Sequence, residues 1–177
     1  MATNSKILIS DVSNWPRFGV KGGEAASWLS SQGIALPATA NSWVNDKDSN
    51  LILRLGNSEY LVEDQQQGQS TSLLQAASKT RMAGIYPVAR ADASFMLTGE
   101  AVPDLLSEIC MLNLRQEAHP QALYMTQIAG ISATLLQQEL DGVTVVRLWC
   151  DGTYHHYMLE TLSTIAKEIG TLELGLV

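Results

Sequence analysis

The chain has 177 residues, enough for one ordinary domain or two small lobes. Its 11 Lys and Arg against 18 Asp and Glu give a net charge of -7, which argues against a nucleic-acid binder built on clustered basic residues. Only 16 % of residues are charged, where soluble domains carry roughly 25 %, so a partner subunit is expected to cover part of the surface.

The N-terminus, Met1-Ala2-Thr3-Asn4-Ser5-Lys6, is polar and followed by only a short apolar run. That is no secretory h-region, and no apolar stretch approaches the roughly 20 residues that span a bilayer. The chain reads as soluble, cytoplasmic and without a membrane segment. Phe18–Gly22 predicts a strand running into a helix over Glu24–Gln32, whose Ala25, Trp28 and Leu29 form an apolar stripe ended by Gly33 and Pro37. Leu51–Leu55 and Glu59–Val62 flank the turn Gly56-Asn57-Ser58 as a hairpin, and a helix follows near Ser72–Thr80. The polar stretch Gln65–Ser70 between them reads as a loop.

Residues 81–98 read as one long strand or a bent pair of strands leading into the second half. There Phe95–Gly99 is again a strand ending at glycine, and its helix carries Val102, Leu105, Leu106 and Ile109, with Pro103 in the first turn. Phe18 and Phe95, Gly22 and Gly99, and Trp28 and Leu105 are each 77 residues apart, which predicts an internal duplication. Ser132–Gln138 is expected to pair ahead of Val143–Trp149 across the turn Asp141-Gly142. Val143–Trp149 and Tyr154–Leu159 are predicted to flank Asp151-Gly152 as a further hairpin, with a closing helix over Thr161–Ile169. The predicted class is α+β, with two ferredoxin-like β-α-β-β-α lobes at 1–85 and 86–177.

Charge is unevenly placed along this plan. Residues 1–90 hold 8 basic and 7 acidic side chains, and residues 91–177 hold 3 and 11. Such asymmetry fits one end docking a partner while the other faces water; drift in surface composition is the plainer reading.

The chemistry-bearing residue types form no familiar constellation. There is no GxxxxGK[ST], and Gly22-Gly23 lacks the spacing that lets a backbone approach a pyrophosphate. His155 and His156, adjacent on the predicted strand, would face opposite sides and share no metal ion, and His119 reads as a solvated loop residue. Cys110 and Cys150 lack CxxC spacing and a basic neighbourhood, so both read as small core hydrophobes. No GxSxG elbow occurs. Asp46 with Asp48, and Glu63 with Asp64, read as solvated turn carboxylates.

Isolated arginines within apolar strands are the unusual feature. Arg54 lies between Leu53 and Leu55, Arg90 between Ala89 and Ala91, and Arg147 between Val146 and Leu148. A guanidinium on a sheet face needs a carboxylate, a carbonyl or a ligand. The plain reading is an exposed face with snorkelling arginines. The functional reading makes Arg17, Lys21, Arg54, Arg90 and Arg147 the residues that hold a partner's acidic groups or an anionic ligand.

The order of several short motifs resembles a known family. Asp11-Val12-Ser13, Arg17, Val20-Lys21-Gly22 and a helix ending Gly33-Ile34-Ala35-Leu36-Pro37 are followed by Arg54-Leu55-Gly56 and Glu59-Tyr60-Leu61. The second half adds Arg90, Leu97-Thr98-Gly99-Glu100-Ala101 and Cys110-Met111-Leu112-Asn113-Leu114. Together, over nearly the whole chain, these resemble the gamma subunits of heterotetrameric sarcosine oxidases. That family is similar to the aminomethyltransferases (glycine-cleavage T proteins) and to folate-binding iron–sulfur-maintenance proteins.

The resemblance implies part of the aminomethyltransferase fold and a non-catalytic role in sarcosine catabolism and one-carbon metabolism. The implied complex demethylates sarcosine oxidatively to glycine, forms hydrogen peroxide, and passes the methyl carbon to tetrahydrofolate or releases it as formaldehyde. Its larger flavin-containing subunits would carry FAD, FMN, NAD and zinc, with folate at an interface, while this chain alone binds no cofactor. The Lys-Gly-Cys-Tyr-x-Gly-Gln-Glu signature of the iron–sulfur-maintenance relatives is absent, and the chain is short for the full three-domain aminomethyltransferase ring. A stand-alone folate- or pterin-binding protein, with Arg54, Arg90 and Arg147 on the ligand's carboxylates and Trp43 stacked on the pterin, is the second reading. A homodimeric interaction domain is the third.

Overall fold

The computed structural model describes residues 6–46, 50–64, 68–117 and 119–176. Most of its strands are short apolar runs, such as Leu51-Ile52-Leu53 and Tyr60-Leu61-Val62, and apolar residues recur at helical spacing in its helices, giving a mixed α+β fold with two sheets. The chain divides into residues 14–90 and a second unit made of 1–13 with 91–177. The first strand therefore belongs with the C-terminal half and not with the lobe that follows it in sequence.

The unit 14–90 contains β2 (Arg17–Lys21), α1 (Ala25–Ser31), β3 (Ser42–Asn45), β4 (Leu51–Arg54), β5 (Glu59–Glu63), α2 (Ser70–Ala77) and β6 (Tyr86–Val88), numbered after β1 (Lys6–Asp11) of the other unit. Its antiparallel sheet has the order β3-β4-β5-β2-β6. Ala25, Trp28 and Leu29 bury the predicted stripe of α1 against Phe18, Val20, Ile52, Tyr60 and Val62, with Leu74 of α2 completing the core. The rings of Phe18 and Trp28 lie 5.8 Å apart, tilted by 42°, a geometry that aromatic pairs favour.

The other unit holds β1, β7 (Asp92–Thr98), α3 (Val102–Ile109), α4 (Leu114–Glu117), β8 (Leu123–Ile128), β9 (Ile131–Leu140), β10 (Val143–Asp151), α5 (His155–Ile169) and β11 (Thr171–Leu176). The sheet order is β11-β1-β7-β10-β9-β8, with β1 parallel to β11 and antiparallel to β7. Helices α3 and α5 cover one face through Val102, Leu105, Leu106, Met158, Leu162 and Ala166. The Asp141-Gly142 turn between β9 and β10 has φ of 51° and 77°, the left-handed pair that a two-residue hairpin requires.

One predicted element changes type. Tyr154–Leu159 is not a strand after an Asp151-Gly152 hairpin, because a 3-10 turn at Gly152–Tyr154 leads straight into α5. The Asp151 side chain accepts from Thr153 N at 2.9 Å and Thr153 Oγ1 at 2.6 Å, so the residue that looked like a turn former caps a helix. The stretch 81–98 resolves into two strands that lie in different sheets, β6 and β7.

The two sheets share a strand order. The shared run is four strands long, β3-β4-β5-β2 in one and β8-β9-β10-β7 in the other, and in each the strand before the glycine turn, β2 or β7, closes the run. Gly22 and Gly99 end the corresponding strands at φ of 127° and 126°. A Cβ on Gly22 would meet the Gly84 carbonyl oxygen at 2.1 Å, and one on Gly99 that of Lys6 at 2.0 Å. Backbone conformation and close approach thus both demand glycine. Gly99→Ala is expected to cost on the order of 3 kcal/mol. Gly33→Ala, at φ 83° but with nothing within 4 Å of its Cβ, is expected to cost about 1 kcal/mol; urea unfolding of the two variants measures the difference.

Candidate functional site

Strand β2 carries two of the five predicted site residues. Arg17 Nε donates to Glu63 Oε2 at 2.6 Å across the β2–β5 pair, and both side chains are almost wholly buried, 4 % and 1 % exposed. Glu63 and Asp64 are therefore not solvated turn carboxylates. Asp64 is buried as well, and its Oδ2 accepts from Thr71 N at 3.0 Å and Thr71 Oγ1 at 2.7 Å. A carboxylate from outside the helix thereby satisfies an orphan donor in the first turn of α2. Lys21, at the other end of β2, is exposed.

Arg54 ends β4 and is engaged by backbone. Its Nη1 donates to the carbonyls of Ala38 (2.7 Å) and Pro37 (3.3 Å), its Nη2 to Asn57 (3.2 Å) and its Nε to Gly56 (3.4 Å). Its guanidinium also lies 5.7 Å from the Tyr60 ring centre. The fork of donors joins the loop at 37–38 to the β4–β5 turn, a task that needs arginine's several fixed N–H groups. Arg90 is half-buried beside Gly19, where its Cδ and Cγ fill the space a side chain would take. Asp46 accepts from Asn50 N and Nδ2 at 2.9 and 3.0 Å; Asp48 and residues 65–67 lie outside the described residues.

In the other unit, Arg147 sits in the middle of β10 and is fully buried, not on an exposed face. Its Nη2 donates to Ser94 Oγ at 3.3 Å, and its guanidinium lies 4.8 Å from the Trp149 ring centre, a cation–π contact strengthened by exclusion of water. The five residues do not converge within one unit: Arg17, Lys21, Arg54 and Arg90 belong to 14–90, and Arg147 to the other.

The sequence reading misses an acid–imidazole pair. Asp11 Oδ2, at the end of β1, lies 2.6 Å from His155 Nε2 in the first turn of α5. The imidazole also packs 5.6 Å from the Phe95 ring. Burial pushes the Asp11 carboxyl up, but hydrogen bonds from Ser13 and His155 outweigh it and hold its pKa below the ordinary value. The pair is invisible while His155 is placed on a strand. The readable signal is Asp151-x-Thr153 followed by Met158, Leu162 and Ala166 at helical spacing.

Both cysteines are buried free thiols. Burial, with Asp151 and Asp92 adding to it, pushes Cys150 up to about 11, so it stays a neutral thiol near pH 7. Among the described residues no group of three or more His, Cys, Asp or Glu is placed to hold a metal ion, and no helix is long and apolar enough to cross a membrane. Two grooves flank β8. One of about 460 Å³ runs past Met125, Gln127, Ser132 and Thr134 to Asp92 and Asp151. The other, of about 610 Å³, lies over Ile109, Cys110, Met111 and Thr126.

No family model and no curated protein matches the sequence. Among solved structures, the glycine cleavage system aminomethyltransferase T from Bartonella henselae matches 98 % of the chain with a TM-score of 0.67 and 11 % identity. This chain spans only 48 % of that one, so the fold is part of an aminomethyltransferase-like architecture. Heterotetrameric sarcosine oxidase from Corynebacterium sp. U-96, solved in complex with pyrrole 2-carboxylate, has a chain that matches 96 % of this one with a TM-score of 0.74 and 19 % identity. There the match covers 88 % of the other chain. The likeness is one of fold, and the neighbour is the assembly that the sequence motifs resemble.

Two measurements probe these interactions. Arg17→Ala leaves the Glu63 carboxylate buried without its charge partner and is expected to cost about 3–5 kcal/mol, whereas replacing both by apolar residues of similar volume is expected to recover most of that loss in urea unfolding. Because the folded pKa of Asp11 is depressed, the stability it adds is present above the ordinary carboxylate value of about 3.9 and lost as pH falls through the lower folded value. Asp11→Asn is expected to flatten the stability profile below pH ~4, seen as a smaller loss of unfolding midpoint on acidification.

Proposed function

We propose that the chain is a non-catalytic subunit of a sarcosine oxidase-type complex, corresponding to its gamma subunit. Its role is to pack on the folate-handling part of a larger flavin-containing subunit. The observation that carries this reading is the pair of coverages. The chain matches nearly all of a chain from the heterotetrameric oxidase, yet only about half of the aminomethyltransferase. A small part-copy of a transferase fold, with 16 % charged residues, suits a subunit whose surface is completed by a neighbour.

In this reading the complex oxidises sarcosine to glycine, forms hydrogen peroxide and hands the methyl carbon to tetrahydrofolate or formaldehyde. FAD, FMN and NAD belong to the other subunits. Arg17 and Arg54 are assigned to holding the fold, because Glu63 and four carbonyls engage them. Lys21, exposed at the end of β2, is the residue of the set that a partner's carboxylate would meet. The shared strand order, the 77-residue offset and the matched glycines Gly22 and Gly99 support descent of the two units from a duplicated ferredoxin-like β-α-β-β-α element.

The test is to tag the chain in its native host, purify it, and record the absorbance spectrum and subunit masses. Flavin bands with a large co-purifying chain are expected, together with no sarcosine turnover by the isolated chain. A colourless eluate of this chain alone would overturn the subunit reading. Heat released on titration with tetrahydrofolate would then favour a stand-alone folate binder.

A further inference from the structure

Where α2 begins, the buried polar groups at the ends of β4 and β5 are only half satisfied. Leu51 lies opposite Glu63 in this antiparallel pair, so the next residues outward, Asn50 and Asp64, stand side by side on the face that Ile52 and Val62 turn to the core. Both are buried, 1 % and 0 % exposed. Asn50 Nδ2 donates to Ser70 Oγ at 2.9 Å and to Asp46 Oδ2 at 3.0 Å. Asp64 Oδ2 accepts from Thr71 N and Thr71 Oγ1. The remaining oxygen of each side chain, Asn50 Oδ1 and Asp64 Oδ1, is buried without a hydrogen-bond partner. Turning the Asn50 amide over gives no relief, because its oxygen would then face the Asp46 carboxylate.

Two further observations bear on what these oxygens take. Among the described residues Asp64 is in no ion pair, and a buried carboxylate calls for a positive partner. A water molecule can donate a hydrogen to each oxygen but leaves that charge uncompensated. A Cβ on Gly68 would come 2.7 Å from Asp64 Cγ and 3.0 Å from Oδ1, so only glycine leaves the place beside the orphaned oxygen unfilled.

From this we infer that Asp64 Oδ1 and Asn50 Oδ1, with the half-buried Asp46 carboxylate beside them, hold a calcium ion. The donors are all hard oxygens, two carboxylates and an amide, and the two carboxylates match a divalent charge. Magnesium is disfavoured because it sheds its water reluctantly. These side chains supply part of the six to eight oxygens that calcium takes, and water entering from the Asp46 side supplies the rest, which sets a weak site with Kd about 10⁻⁴–10⁻³ M. Bound there, the ion ties the connection between β3 and β4 to the end of β5. The inference does not depend on which complex the chain joins.

The test uses the full chain, treated with EDTA and dialysed, with calcium chloride as the probe. Calorimetry is expected to show saturable binding of about one ion per chain. Calcium at about 10 mM is expected to raise the unfolding midpoint by about 3–10 °C, more than magnesium at the same concentration or sodium at equal ionic strength. Asp64→Asn keeps the acceptor for Thr71 and brings Nδ2 as a donor beside Asn50 Oδ1. It is expected to melt no lower than the calcium-free parent and to lose the calcium shift. Asp46→Asn is expected to weaken binding about tenfold, and Asp141→Asn, on the exposed turn of the other unit, to leave it unchanged. Should Asp64→Asn fail to fold, Asp46→Asn carries the comparison. Absent saturable heat, a shift matched by magnesium or sodium, or a calcium shift kept in full by the Asp64 and Asp46 variants would each overturn the inference. So would an Asp64→Asn chain more stable than a parent that calcium leaves unchanged, since water alone then fills the place.

Discussion

Strand β1 lies between β7 and β11, antiparallel to one and parallel to the other, and much of its unit depends on that position. The sheet is complete only when residues near both ends of the chain are in place. Position 99 has to be glycine because the Lys6 carbonyl of β1 occupies the place a Cβ would take. Val12 N donates to Ser94 O at 2.9 Å, and Ser94 N to Ser13 Oγ at 3.0 Å, so the exit of β1 is fastened to the entrance of β7. Residues 14–90 leave the unit just after these bonds and return just before them. An insertion whose two ends are held close adds little closure entropy to its host, yet the pairing of β1 with β11 is as non-local as a contact can be and slows folding accordingly.

Buried charge is the second constraint, and it is met locally in each unit. Arg17 faces Glu63, Asp64 receives Thr71, and Arg147 meets Ser94 and the Trp149 ring. Taking such groups out of water is costly, and the return is a single arrangement of strands in which each has its partner. Arg54 performs a similar service at less depth by collecting carbonyls from two loops. The arginines that first suggest a ligand site are thus largely occupied with the fold itself.

This changes what a functional surface on the chain has to be. A buried Cys150 thiol and the buried Arg17–Glu63 pair are interior devices, while the Asp11–His155 pair that joins the first strand to the last helix stays partly exposed. What remains outward includes the uncharged strand β8 at a sheet edge and the two grooves of mixed lining beside it. The fold itself is shared with one chain of a heterotetrameric oxidase.

Periodicity alone determined most of the elements: the stripes of α1 and α3, the β4–β5 hairpin, and the β9–β10 turn at Asp141-Gly142 are all written in residues within a few positions of one another. The motif order likewise pointed to the oxidase fold. Tertiary structure decided the rest, because the deciding partner lies far along the chain. Nothing near Lys6–Asp11 shows that this strand pairs with residues 92–98 and 171–176. Asp151-Gly152 serves equally as a turn or a helix start, and α5 prevails because Met158, Leu162 and Ala166 find an apolar sheet face to cover. Whether Glu63 and Arg17 are solvated or buried depends on their meeting each other across β2 and β5, 46 residues apart, and a charge is buried at tolerable cost only where a counter-charge or hydrogen-bonding partner is buried with it.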